Sequence, residues 1–341
     1  MSCKRLWLSL ASCLLLSCPW AAATAALFRR ESTQQTQLAH ERDNIPHTVY
    51  LTGPWPYMPV DLKALQDANR KSLPPDTQVN YFNDTEMAAS ADQISAMLTN
   101  AKITESAYKA FSNLRPGAYR ADLWRCMILW AYGGVYYDAK IALTAPLTAW
   151  INFTGPDLNL VQDRLPRGYW NAIMAARPRS PLLAQAIQHI VNNVQQHSYG
   201  EEDSLSDHSY DSLAITGPLA LSASIQSSLA LGFAPPVINA QLTPDDRVRA
   251  LTPGLGEVAH VVKSLHLAGR HCGGIDKPCP QGADDLSYGG FFNRHQVYCD
   301  ERGGGPCPPA PGGTDLSATS TKTTKTSAGA EGARAGSAGG L

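Results

Sequence analysis

The chain has 341 residues, of which 44% are hydrophobic and 17% charged, and its formal net charge at pH 7 is -1. This length and apolar content support one large or two small domains with a substantial core. The near-neutral balance, with no basic stripe or basic-aromatic interleaving, argues against nucleic acid as a partner.

Lys4 and Arg5 precede an uncharged run from Leu6 to Phe28. Leu6 to Leu16 has the length of a signal-peptide h-region, and Ala23-Thr24-Ala25 offers a cleavage site. The whole run would also just span a bilayer as a type II signal-anchor. Pro19 and the alanine-rich end lower its hydropathy and tilt the reading toward cleavage. Either route takes residues 1–28 into the secretory pathway and leaves residues 29–44 as a short stem. Asn83-Asp84-Thr85 and Asn152-Phe153-Thr154 are N-glycosylation acceptor triplets, which agree with that compartment.

Ile45 to Thr52 reads as a first strand, closed by Gly53-Pro54 and Pro56. Asp61 to Lys71 has helical spacing, with Leu62, Leu65 and Ala68 on one face. Pro74-Pro75-Asp76 marks a turn, and Gln78 to Phe82 alternates as a second strand. From Ala118 to Tyr132 nearly every residue is apolar or a good helix former, which predicts a helix buried on most sides. Its exceptions are Arg120, Asp122 and Arg125. Asp122 and Arg125 are three apart and share a face. Gly133 and Gly134 stop the helix. Val135, Tyr136 and Tyr137 form a short β-prone run. Asp138 then stands at the strand end, where α/β sheets place ligands.

After Lys140 the run to Trp150 reads as an extended edge with a turn at Pro146. Asn171 to Ala176 predicts a strand. Pro181 to Gln196 predicts an amphipathic helix, with Leu182, Ala186, Ile190 and Val194 near one face. Glu201 to Asp211 reads as a solvated loop. Ile215 to Pro218 is a turn into a helix from Leu219 to Leu231, and Val258 to Leu267 is a late strand. Residues 303–341 are rich in Gly, Pro, Ser, Thr and Ala and read as a disordered tail. This order predicts an α/β domain over residues 45–302, with a mixed, mostly parallel sheet flanked by helices.

Of eight cysteines, Cys3, Cys13 and Cys18 fall in the targeting segment, and Cys126 lies on the buried helix as a core thiol. Cys272, Cys279, Cys299 and Cys307 make the C-terminal part Cys-rich. They suit two disulfides in an oxidising compartment, or, with less fitting spacing, a zinc site.

The chemistry-bearing residues gather around the buried helix. A strand-end carboxylate such as Asp138 can hold a divalent cation or a sugar hydroxyl. Arg125 can grip a hydroxyl, carboxylate or phosphate through its planar fork. Asp122 and Arg125 can equally pair with each other inside the core. Asp284-Asp285 reads as solvated loop charge. His47, His189, His197 and His208 show no metal-ligand spacing.

ADLWRCMILWAYGGVYYDAK, from Ala121 to Lys140, resembles the signature of the sugar-binding DXD-motif glycosyltransferases of family 32. That family includes the yeast initiating α-1,6-mannosyltransferase. The resemblance extends to Ile45-Pro46, to Leu73–Asp84 with its Tyr81-Phe82-Asn83-Asp84 ending, to NAIMAARPRSPLL from Asn171, and to Thr216-Gly217-Pro218. It covers roughly Ile45 to Leu267.

The resemblance implies a GT-A fold and retaining transfer of a hexose from a nucleotide sugar to a glycan or glycoprotein acceptor. It implies that Asp122 and Arg125 contact the donor sugar, with Tyr136 beside them, and that Asp138 binds ribose and a cation, Mn²⁺ or Mg²⁺. Asn171 lies where the family presents a residue to donor or acceptor. The donor would be GDP-mannose or a UDP-hexose.

Three departures stand out. Lys140 replaces the second DXD aspartate, which removes a hard-cation ligand; pointing inward it would offer a positive charge to the diphosphate, and pointing to solvent it would leave Asp138 and another group to hold the metal. Tyr50-Leu51 stand where the family has His-Gln. His266-Leu267-Ala268-Gly269-Arg270-His271 only partly matches the closing motif, leaving His266 as a candidate metal ligand and Arg270 as a candidate diphosphate contact. The implied setting is the Golgi lumen as a type II membrane protein, or secretion if the N-terminus is cleaved, with membrane contact only through that segment. The alternatives are a metal-independent transferase using Lys140, or an inactive binding protein of the same fold.

Overall fold

The computed structural model describes residues 45–155, 157–164, 168–199, 208–243, 247–250, 260–264 and 288–300. The targeting segment, the stem, the tail, His266, Arg270, Asp284-Asp285, Cys272, Cys279 and Cys307 lie outside the described residues. Among the described residues no helix is long and apolar enough to cross a membrane.

The chain begins as β1 (Thr48–Thr52), α1 (Val60–Asn69), β2 (Gln78–Phe82), α2 (Asp84–Asn100) and α3 (Ala107–Asn113). It continues as α4 (Gly117–Tyr132), β3 (Gly134–Tyr137), β4 (Ile141–Leu143), β5 (Leu158–Gln162) and β6 (Tyr169–Ala176). It closes with α5 (Pro181–Gln195), α6 (Pro218–Ala230), β7 (Val237–Leu242), β8 (Arg247–Ala250), β9 (His260–Ser264) and α7 (Tyr288–Asn293).

The strands form one mixed sheet in the order β2-β1-β3-β6-β5-β7-β8-β9-β4. β1 pairs in parallel with β2 and β3, and β5 with β7. The remaining ladders are antiparallel, so β6, β8 and β4 run against the direction shared by the other strands. The expected mixed, mostly parallel sheet with flanking helices is therefore the observed architecture.

Side chains leave the strands on alternate faces and make two cores. Tyr50, Tyr136 and Met174 join the cluster built on α2, α4, α5 and α6. Val49, Leu51, Val135 and Tyr137 join the opposite cluster, which includes Ile141 and Trp150. From Tyr119 to Ala131 every residue of α4 is buried, the charged Arg120, Asp122 and Arg125 included, so the burial expected on most sides extends to all of this stretch. Its Trp124 and Trp130 are among the largest fully buried side chains. Trp124 Nε1 donates to Ser90 Oγ of α2 at 2.7 Å, so the indole is buried with its polar atom satisfied.

Two glycines join α4 to β3. Gly133 has φ 67 and Gly134 φ 100. A Cβ on Gly134 would lie 2.5 Å from the Thr48 carbonyl oxygen, so only glycine lets β3 approach β1 this closely.

One sequence expectation is corrected. The face Leu62, Leu65 and Ala68 is not the buried face of α1. Leu62, Gln66 and Asn69 are buried, and Ala68 is exposed. The polar pair is buried because it satisfies backbone groups of the turn after β3. Gln66 Nε2 donates to Ala139 O at 2.7 Å, and Asn69 Nδ2 donates to Ile141 O at 2.8 Å. Asn69 Oδ1 accepts from Leu143 N at 2.9 Å. A helix read only by its apolar period misses this, because amides replace aliphatic side chains wherever buried backbone needs partners.

Several elements have no counterpart in the sequence reading: α2, α3, β5, β7, β8 and α7. Asn83 starts α2 with a capping box, its Oδ1 accepting from Thr85 N and Glu86 N. The segment after α7 returns to α3, with Cys299 N donating to Asn113 O at 2.7 Å and Arg115 N to Val297 O at 2.9 Å.

Candidate active site

The parallel strands β1, β2 and β3 all end at one edge of the sheet. From β1 the chain moves outward to β2, then crosses back to β3 on the other side of β1. This reversal opens a crevice at the carboxyl ends of β1 and β3, the usual ligand position in such sheets. Asp138 stands there, directly after β3. Its N–H donates to Ala172 O at 2.9 Å, and its carbonyl accepts from Ile141 N at 2.9 Å, which fixes the turn that follows. Because β6 runs antiparallel to β3, the first residues of β6 come to the same edge and bring Asn171 beside Asp138.

A connected polar network fills the floor of this crevice. Arg125 Nη2 lies 3.1 Å from Asp122 Oδ1 and 3.5 Å from Asp138 Oδ1. Its Nη1 donates to Asn171 O at 2.7 Å and its Nε to Ala121 O at 3.2 Å. The guanidinium lies over the Tyr136 ring, with Cζ 4.6 Å from the centroid. Asn171 Nδ2 donates to Asp122 Oδ1 at 2.9 Å, and Thr216 Oγ1 donates to Asp122 Oδ2 at 3.0 Å. Tyr136 OH donates to Asp138 Oδ1 at 2.8 Å. Thus Asp122 and Arg125 do pair, as the core reading expected, but inside a network that also reaches Asp138.

The electrostatics follow from this wiring. Burial pushes the Asp122 carboxyl up to about 6, while Arg125 and the Thr216 and Asn171 hydrogen bonds pull the other way. The described hydrogen-bond partners of Asp122 all donate, which favours the carboxylate form, while the nearby Asp138 carboxylate adds to the upward push. Burial alone would lower the Arg125 pKa, but the Tyr136 oxygen and the carboxylates of Asp122 and Asp138 outweigh it and hold the guanidinium charged. Burial also raises the Tyr136 phenol well above its usual range, so it stays a neutral donor to Asp138.

Unused valences show what the site can take. Among the described residues Thr216 Oγ1 donates to Asp122 Oδ2, and a carboxylate oxygen can accept a second hydrogen bond. Among the described residues no hydrogen bond or ion pair reaches Asp138 Oδ2, and the Asp138 side chain is 27% exposed. Lys140, two residues on, is exposed and has no hydrogen-bond or ion-pair partner among the described residues. Arg120, the third charge on α4, is buried with Nη2 3.5 Å from Asp84 Oδ2 at the start of α2.

The donor set for a cation is small. No three His, Cys, Asp or Glu side chains gather among the described residues. Asp138 Oδ1 is already held by Tyr136 and Arg125, so the described protein offers Oδ2 of one carboxylate. That suits a cation shared with a bound diphosphate and water rather than one caged by protein alone.

Of the residues expected from sequence, Asp122, Arg125, Tyr136, Asp138 and Asn171 converge, and Lys140 sits on the adjoining turn. Tyr136 is 1% exposed and acts on Asp138 and Arg125 from beneath. Thr216 was legible only as part of a turn motif, and Gln66 and Asn69 gave no signal beyond their unexpected burial.

Residues 60–155 match the family model described as a glycosyltransferase sugar-binding region containing DXD motif. The chain carries a glycosyltransferase-like sugar-binding region. The match takes in Asp122, Arg125 and Asp138 but ends before Asn171 and Thr216, which only the fold brings to them. No curated protein matches the chain. Among solved structures, the PaToxG glycosyltransferase is 13% identical, with a TM-score of 0.40 over 59% of this chain and 79% of that chain. The ligand-free glycosyltransferase domain from the YGT toxin is 10% identical, with a TM-score of 0.37 over 55% of this chain and 79% of that chain.

Proposed function

We propose that the protein is a glycosyltransferase that moves a hexose from a nucleotide sugar to a hydroxyl of a glycan or glycoprotein, with retention at the anomeric carbon. The observation that carries this reading is the buried Asp122–Arg125–Asn171–Thr216 network ending on an Asp138 oxygen open to the crevice. In it, Asp122 Oδ2 accepts a hydroxyl of the donor hexose. Arg125 holds the carboxylates apart at fixed spacing and supplies positive charge. Asp138 Oδ2 takes the ribose or a cation on the diphosphate. Asn171 and Tyr136 are positioning residues that act through Asp122 and Asp138.

In the transfer, the bond from the anomeric carbon to the diphosphate breaks and a bond to the acceptor oxygen forms on the same face, with the acceptor proton leaving on the departing diphosphate. A Mn²⁺ or Mg²⁺ ion, when bound, neutralises charge that develops on that leaving group. Asp138 is the described residue that would hold it. The donor class is GDP-mannose or a UDP-hexose, in keeping with the likeness to family 32.

A second reading is favoured by one observation. Lys140 stands exposed, with no hydrogen-bond or ion-pair partner among the described residues, where the motif carries an aspartate, so its ammonium can meet the diphosphate in place of a cation. The secretory setting, in the Golgi lumen as a type II membrane protein or after cleavage and secretion, is part of the proposal. Its support is the sequence of residues 1–28 together with the cluster Cys272, Cys279, Cys299 and Cys307, which suits disulfides in an oxidising compartment. Cys126 is free and buried, and burial pushes its thiol up to about 12, so it is inert.

The test is turnover of nucleotide sugars by the wild type and by Asp138→Ala, after a thermal-shift screen of donors with and without Mn²⁺. Donor-dependent stabilisation and turnover that fall together in Asp138→Ala are expected. Binding without turnover in the wild type would make the protein an inactive carbohydrate- or nucleotide-binding module.

A further inference from the structure

The two acceptor triplets for N-linked sugar lie at opposite edges of the sheet and are built differently. This inference rests on the secretory part of the proposed function. Asn83 follows β2, at the edge that carries Asp138. Asn152 lies before β5, whose first residue Leu158 pairs with Ala176, which in turn pairs with Gly134 at the start of β3. Asn152 is therefore at the amino-terminal edge of β3, away from the crevice. Its neighbour Phe153 accepts from Ile45 N at 2.7 Å, three residues before β1.

The amide of Asn83 is engaged on both sides. Its Oδ1 caps α2 by accepting from Thr85 N at 2.9 Å and Glu86 N at 3.0 Å, and its Nδ2 donates to Pro56 O at 3.4 Å. Asp84 beside it reaches Arg120 under the crevice. A saccharide on Asn83 Nδ2 would replace the Pro56 contact and stand beside the ends of β1 and β2. Asn152 is exposed. Its Oδ1 accepts from Thr154 Oγ1 at 3.1 Å and Thr154 N at 3.2 Å, while no described residue takes a hydrogen bond from its Nδ2. Gly155 keeps room for that nitrogen, since a Cβ there would collide with Asn152 Nδ2.

We infer that Asn152 is the N-glycosylated residue of this protein and that folded molecules carry no glycan on Asn83. The co-reactant is an oligosaccharide on a polyprenyl diphosphate, used by the host oligosaccharyltransferase. The anomeric C–O bond to the carrier breaks, the anomeric carbon bonds to Asn152 Nδ2, one amide proton passes to a base, and the carrier leaves as its diphosphate. Attachment precedes folding, so the fold selects between the sites. A chain modified at Asn152 reaches this structure unhindered, whereas one modified at Asn83 must break the Pro56 contact and crowd the crevice.

The experiment expresses the full chain in eukaryotic cells in two forms, with its own N-terminus and with an added cleavable signal sequence that delivers it to the lumen. Soluble protein is treated with an amidase that releases N-glycans, and its peptides are read by mass spectrometry. In the signal-led form, one glycan on Asn152 is expected. It should be lost in Asn152→Gln and Thr154→Ala, kept in Thr154→Ser, and unchanged in Asn83→Gln. An unmodified Asn152 or a modified Asn83 in that form overturns the inference. If the signal-led form is modified at Asn152 and the native form is not, the site assignment stands and the secretory reading fails.

Discussion

Thr216 donates its hydroxyl to Asp122 Oδ2 at 3.0 Å across 94 positions of sequence, and it is the only described donor on that oxygen. The bond ties the loop before α6 to the middle of α4 and keeps a fully buried carboxylate satisfied. Removing the hydroxyl in Thr216→Val leaves the shape but costs Asp122 a charge-assisted hydrogen bond. A loss of about 2 kcal/mol in unfolding free energy is expected in urea denaturation. Donor KM should rise, because Oδ2 is also the oxygen proposed to take the hexose hydroxyl. Unchanged stability would place Asp122 in a wetter setting than the structure shows.

The Asp122 carboxyl has opposite consequences for stability and for activity. Its pKa is raised from 3.8 to about 6, mainly by burial. Between those values the folded state holds a proton that the unfolded state has lost. The contribution of this group to stability is therefore complete below pH 3.8 and declines as pH rises through about 6. Activity requires the carboxylate, which anchors Arg125, so kcat/KM for the donor should fall as pH drops through about 6. A pH–rate profile reads this directly. The residual activity of Asp122→Asn should lack that acid limb, and a wild-type profile that stays flat to pH 5 would exclude Asp122 as its source.

Lys140 decides the cation requirement. Lys140→Asp restores a second carboxylate beside Asp138 and should lower the Mn²⁺ concentration that gives half-maximal activity by about tenfold. Complete loss of wild-type transfer in EDTA, with recovery on Mn²⁺ addition, supports the cation-assisted reading. Transfer that persists in EDTA and disappears in Lys140→Ala supports the ammonium as its replacement.

Asn69 clamps the turn that carries Asp138 and Lys140. Asn69→Leu keeps the volume but strands the Ile141 carbonyl and the Leu143 N–H, so a loss of about 2–4 kcal/mol is expected. Urea denaturation measures it. Because the same turn carries Asp138, donor KM should rise more than acceptor KM.

Gly134→Ala tests the closeness of β1 and β3. The new Cβ would lie 2.5 Å from the Thr48 carbonyl oxygen at a φ of +100. A loss of about 3 kcal/mol or more is expected, visible as a lowered Tm. A neutral substitution would mean that the strands part without cost.

Much of this molecule follows from local rules. Tyr119–Ala131 is a run of good helix formers with few charges, and it is buried throughout. Gly133-Gly134 ends the helix where only glycine tolerates the backbone. The β-prone Val135-Tyr136-Tyr137 then delivers Asp138 to a strand end. Asp122 and Arg125 share a helix face by spacing alone, so their pairing was legible as well. These are short-range consequences of steric preference, periodicity and burial, and a linear chain displays them.

Only the tertiary structure decided which partners complete the site. Asn171 reaches Asp122 because β6 runs antiparallel to β3, and strand direction is set by long-range pairing that no local pattern specifies. Thr216 reaches Asp122 through the packing of the loop before α6. Gln66 and Asn69 turn inward because the backbone after β3 needs hydrogen bonds, a demand that exists only once that turn is buried. The chain by itself determined the carboxylates and the arginine. The fold determined that Asp122 is buried and held by Arg125, Asn171 and Thr216, while no described residue reaches Asp138 Oδ2.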